Sequence, residues 1–102
     1  MIQVIVFVPL SHKDLVKAAM FQAGGGKIGN YDSCCFEQAG IGQFRPLSGS
    51  QAFVGKINEV EKVEEVRIEM ICDEAHYPQV IEALKSSHPY ETPAYYGIKT
   101  LG

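Results

Sequence analysis

The stretch IQVIVFVPLSHKDLVKAAMFQAGGG, residues 2–26, decides the fold. Ile2 to Val8 is a nearly continuous apolar, β-branched run that stops at Pro9, which predicts a central strand buried on both faces. Ser11, with Asp14 three residues on, has the form of a capping box. Leu15, Val16, Ala19, Met20 and Ala23 then recur at helical spacing on one face. Gly24-Gly25-Gly26 ends that helix, because glycine takes positive φ angles without strain. Strand, helix and stop make one βα unit.

Outward from this unit, Tyr31 to Gln38 favours a second strand through its Tyr, Cys and Phe side chains. Residues 39–58 are rich in Gly and Ser but broken by Ile41, Phe44, Leu47 and Phe53. They predict an extra loop or short irregular strands lying on the body rather than a loose linker. Val66, Ile68, Met70 and Cys72 alternate with Glu65, Arg67 and Glu69, the period of a strand with one face buried. A second helix starts near Ala75, tolerates Pro78 in its first turn and stops at Ser87-His88 before Pro89. Tyr95 to Leu101 closes as a short strand. The order is βαββαβ, an α+β ferredoxin-like fold: a four-stranded antiparallel sheet with two helices on one face.

At 102 residues the chain fits a single domain, 1–102. A domain of this size buries about two-thirds of its unfolded surface, enough for one core but not for a deep enclosed active site as well. Nine basic and twelve acidic residues give a net charge of −3 with no basic stripe, which argues against a nucleic-acid partner. No apolar run reaches membrane-spanning length, and the opening residues lack the basic start and cleavage site of a signal peptide. Adjacent Cys34 and Cys35, with a distant Cys72, form no disulfide framework. Reduced thiols in a cytoplasm are the expectation. Ile5 and Phe7 point away from the helices, joined by Tyr95 or Tyr96, so this face needs a cover. A second subunit covers more area than a Gly-rich flap, which predicts a homodimer or homotrimer.

The run AGGGKIGNYDSCCF, residues 23–36, resembles a stretch of the small domain carried inside YqfO-type members of the Nif-three-like family. Gly40, Gly42, Phe44-Arg45-Pro46, Gly49, Val54-Gly55 and Glu61 to Glu69 match it in the same order, as does Val80-Ile81 through Tyr95. His88-Pro89-Tyr90-Glu91-x-Pro93 is also similar to the closing motif of CutA proteins, trimeric ferredoxin-like relatives of PII signalling proteins. The resemblance implies a CutA/PII-like fold, self-association and a stand-alone version of the inserted domain. It also implies that the family's di-metal site lies in flanking halves absent from this sequence, so the GTP cyclohydrolase chemistry attributed to the full-length family has no residues here.

Gly24, Gly26 and Gly29 satisfy a dinucleotide-binding spacing, but they follow a helix where that mechanism needs them before one. They read as a helix stop; a looser anion nest beside Lys27 stays open. His12 and His76 fall in first turns and suggest no metal site. Cys34 and Cys35, placed on a strand, would point to opposite faces. His88-Pro89-Tyr90-Glu91 carries two readings. One is a rigid turn, with Tyr90 packed and Glu91 paired to a cation. The other places His88 and Glu91 at a subunit cleft as ligands of a divalent metal, completed by a second subunit or Asp32. Tyr31, Asp32, Tyr90 and Lys27 are the further ligand or interface candidates. No catalytic constellation is visible. Three functions follow: a non-enzymatic homo-oligomeric binding or regulatory module, a scaffold for another protein, and a metal-assisted hydrolase.

Overall fold

Backbone ladders follow the apolar patterning. A computed structural model describes residues 1–102 as β1 (Ile2–Pro9), a 3-10 turn (Leu10–His12), α1 (Lys13–Gln22), β2 (Phe36–Phe44), β3 (Glu61–Cys72), α2 (Tyr77–Ser87) and β4 (Tyr95–Lys99). The strands form one antiparallel sheet in the order β2-β3-β1-β4. Central β1 is therefore paired on both sides, as its unbroken apolar run requires. Its register sets Val4 beside Met70, Val6 beside Ile68 and Val8 beside Val66. These side chains meet Val16 and Met20 of α1 and Val80 and Leu84 of α2 in one core. Each fully buried aliphatic side chain contributes about 1.5–3 kcal/mol. No helix is long and apolar enough to cross a membrane.

The start of α1 differs from expectation. The 3-10 turn delays the helix, so His12 is its N-cap and no side chain caps it. Ser11 Oγ instead meets His12 Nδ1 at 2.8 Å, and the capping box does not form. Leu15 is exposed because the buried stripe is centred on Val16 and Met20. Lys13 and Lys17 both bridge to Glu37, tying α1 to β2. The helix stop is as expected: Gly24 and Gly26 have φ of +115° and +76°. A Cβ on Gly24 would lie 2.6 Å from the His76 ring, and one on Gly26 would lie 2.8 Å from the Cys34 carbonyl oxygen.

The second strand is displaced toward the C-terminus. It begins at Phe36 and runs through Gly40 and Gly42, whereas Tyr31 makes only an isolated bridge with Ile28. Cys34 and Cys35 thus precede the strand, and their expected placement on its two faces does not hold; all three cysteines are unpaired. Pairing with the long β3 outweighs local propensity here. β2 and β3 run on past the helices as an arm, which stretches the molecule to 46 × 24 × 24 Å.

Candidate functional site

The sheet face opposite the helices is built from the odd partners of the same alternation. β1 contributes Gln3, Ile5 and Phe7, β3 contributes Glu65, Arg67 and Glu69, and β4 contributes Tyr96 and Ile98. Gln3 Nε2 donates to Glu69 at 2.7 Å, and Arg67 pairs with Glu69 at 3.3 Å. Phe7 and Tyr96 meet edge to face with centroids 6.1 Å apart. Ile5 is only 4% exposed, so neighbouring side chains close over it. The face is more polar and less open than the apolar patch expected from Ile5 and Phe7, although Tyr96 remains 55% exposed.

The His88–Glu91 turn closes one end of this face. His88 leaves α2 with ψ of 137°, the extended geometry that a following proline imposes, and its ring turns inward to 7% exposure. Nε2–H donates to the Phe7 carbonyl at 2.7 Å, while the Tyr90 amide donates to Nδ1 at 3.1 Å. The backbone amide can only donate, so the ring is the neutral Nε2–H tautomer. Burial holds its pKa below the usual histidine value. Neither ring nitrogen has a lone pair left for a cation. Glu91 Oε1 accepts from the Gln51 amide at 2.8 Å rather than pairing with a cation. No three His, Cys, Asp or Glu side chains gather closely enough to hold a metal. The donor set does not fit the divalent-metal reading of His88 and Glu91. A metal-assisted hydrolase loses its main ligand with it.

Tyr90 is the centre of what the turn does build. Its hydroxyl donates to Glu65 Oε2 at 2.8 Å, and burial beside that carboxylate pushes the phenol pKa well up. Its ring lies 5.6 Å from Phe44 and 6.3 Å from Phe53. With Phe7 and Pro46 these rings wall a cleft of about 250 Å³, which Glu65 and Glu91 also line. The 45–58 segment supplies Pro46, Ser50 and Phe53, so it covers this end of the face as a partial flap.

Lys27, Tyr31 and Asp32 lie elsewhere. The Gly26 amide bonds the Ile71 carbonyl, which places that loop at the other end of β3 from Glu65. Six residues of strand amount to about 20 Å. Tyr31 is 75% exposed, and the Asp32 carboxylate accepts from the neighbouring Ser33 hydroxyl. The expected site therefore divides, with Tyr90 and Glu91 at a cleft and the other three apart from it. Phe44, Phe53 and Glu65 were not singled out. Phe44 and Phe53 carry a signal as aromatic residues that interrupt the Gly- and Ser-rich 39–58 segment, and Glu65 stands only as a polar member of the β3 alternation.

An antiparallel β2-β3-β1-β4 sheet with two helices on one face defines a CutA/PII-like α+β domain. The PII-like CutA from Nostoc sp. superposes with a TM-score of 0.69 over 99% of this chain and 82% of its own, at 15% identity. A Bacillus cereus protein related to NIF3 superposes with a TM-score of 0.84 at 40% identity, over 99% of this chain and 26% of that one. A GTP cyclohydrolase 1 type 2 homolog from Halalkalibacterium halodurans is 46% identical over 93 residues, 91% of this chain and 25% of that protein. Over nearly its whole length the chain is similar to one segment, about a quarter, of these NIF3-related proteins. It spans about a quarter of the length of the curated relatives it matches. No family model matches it.

Proposed function

We propose that this chain is a non-enzymatic, homo-oligomeric binding or regulatory module. It self-associates as a dimer or trimer through the β2–β3 arm and the open part of the outer sheet face, and holds a small ligand beside the His88–Glu91 turn. The carrying observation is the arm: Ile41, Leu47, Ile57 and Val60 stand exposed on it or on the segment joining its strands. Phe36, Tyr96 and Ile98 form a second exposed apolar surface on the outer face of the sheet, opposite the side on which Ile41 stands. Exposed apolar surface gathered in this way favours an interface. A copy of the same chain offers a matching surface, as closed symmetric assemblies do. Light scattering at micromolar concentration tests the reading. A mass of two or three chains supports it; a mass of one chain overturns it.

A further inference from the structure

We propose that the cleft beside Tyr90 takes a small organic cation, a primary ammonium or guanidinium group carried on an apolar body. This deepens the reading of the chain as a binding module, yet every wall of the cleft belongs to one copy. The walls of Phe7, Phe44, Phe53 and Tyr90 are apolar, and the volume of about 250 Å³ is that of roughly eight waters. Two carboxylates line it, Glu65 and Glu91, and no Lys, Arg or His does. All six ion pairs of the chain lie among other residues, so neither carboxylate has a cationic partner. Ser50 also lines the cleft, and its Oγ is out of water's reach with no hydrogen-bond partner.

These features select among ligands. An anion would meet two carboxylates and no donor side chain of opposite charge. A neutral apolar guest would strip water from both carboxylates and return nothing, which is costly. A metal ion finds too few ligands, because two carboxylates line the cleft with no third His, Cys, Asp or Glu beside them. An organic cation satisfies each term. Its head reaches the remaining oxygens, while aromatic faces attract its charge and accept its body.

Calorimetric titration with 2-phenylethylammonium, and with 3-phenylpropionate as the anion of similar shape, tests this on the full chain. The ammonium should bind saturably and the carboxylate should not. Glu91→Gln, at an exposed position that does not endanger folding, should weaken ammonium binding about tenfold. Glu64→Gln, on the other face of β3, should leave it unchanged. Equal binding of both ions, no binding of the ammonium, or an affinity indifferent to Glu91→Gln and Glu65→Gln alike overturns the proposal. Sedimentation of the same samples separates the two readings. A monomer that binds the ammonium removes self-association alone, and an oligomer that does not bind it removes the cation site alone.

Discussion

One alternation runs the length of β3, yet its two halves are held by different things. From Val66 to Cys72 every second side chain is buried beneath α1 and α2. From Glu61 to Glu65 no helix stands on the strand, and Lys62 and Glu64 face solvent where the first half has its core. The outer half depends on its ladder to β2, on the Tyr90–Glu65 hydrogen bond and on the 45–58 crossing. Alternation reports which side chains share a face. What covers that face is set by elements distant in the sequence. The covered half gives the domain its stability, and the uncovered half leaves it surface to offer another molecule.

The largest effects should fall in the covered half. Ile68→Ala or Leu84→Ala removes a fully buried aliphatic side chain and should cost about 2–5 kcal/mol in chemical denaturation. A loss below 1 kcal/mol at both positions would mean that the two halves of β3 are not held differently.

His88→Ala comes next, at about 2–3 kcal/mol, since it strands the Phe7 carbonyl and the Tyr90 amide as well as emptying the ring's place. The sign of its pH dependence follows from its lowered pKa. The unfolded chain takes up the proton first, so the stabilisation is fully present above the ordinary value of 6.5 and is lost as pH falls from there through the lower folded value. Glu37 and Asp73 are shifted below their ordinary values of 4.5 and 3.8, so their contributions are lost only in more acid solution. The melting temperature should drop between pH 7.5 and pH 5, and His88→Gln should flatten that drop. An equal drop in both proteins would remove His88 as its source.

Tyr90→Phe is a finer probe of the uncovered half. The ring stays against Phe44 and Phe53, and only the donor to Glu65 goes, so the cost should be about 1 kcal/mol. Denaturation that leaves the stability unchanged would show that the arm is held by its strand ladder alone.

The covered half was the legible one. The run Ile2 to Val8, the alternation Val66 to Cys72 and the glycine stop after α1 each carry their structure in local spacing. The start of β2 was not legible, because Tyr31, Cys34 and Cys35 suggest a strand while Gly40 and Gly42 look like breaks. In the ladder Gly42 has a use: a Cβ there would sit 2.1 Å from a Glu65 carboxylate oxygen, so its absence leaves room for the side chain that holds Tyr90. The site was half legible. The turn holding Tyr90 and Glu91 stood out, but the part played by His88 depends on a carbonyl 81 residues away in β1. No spacing within the turn could reveal that partner, and Phe44 and Phe53 reach the cleft only once the arm and its crossing are in place.

The smallest expected change in stability carries the sharpest test of the comparison. Ile41 is 67% exposed, on the arm beyond the helices and opposite Glu64 across the ladder. Replacing it with lysine buries nothing and removes little from the folded monomer, so the stability of an isolated chain should move by no more than about 0.5 kcal/mol. Lysine also places an opposite charge beside Glu64, which favours the pair on the strand surface. If the arm is a contact between copies, the same substitution sets a charge in an apolar interface, and charges are depleted from interface cores for that reason. Ile41→Lys should therefore lower the mass seen by light scattering while leaving the circular dichroism of the chain intact. An assembly that survives Ile41→Lys but dissociates on Tyr96→Lys would move the interface from the arm to the sheet face beside β4.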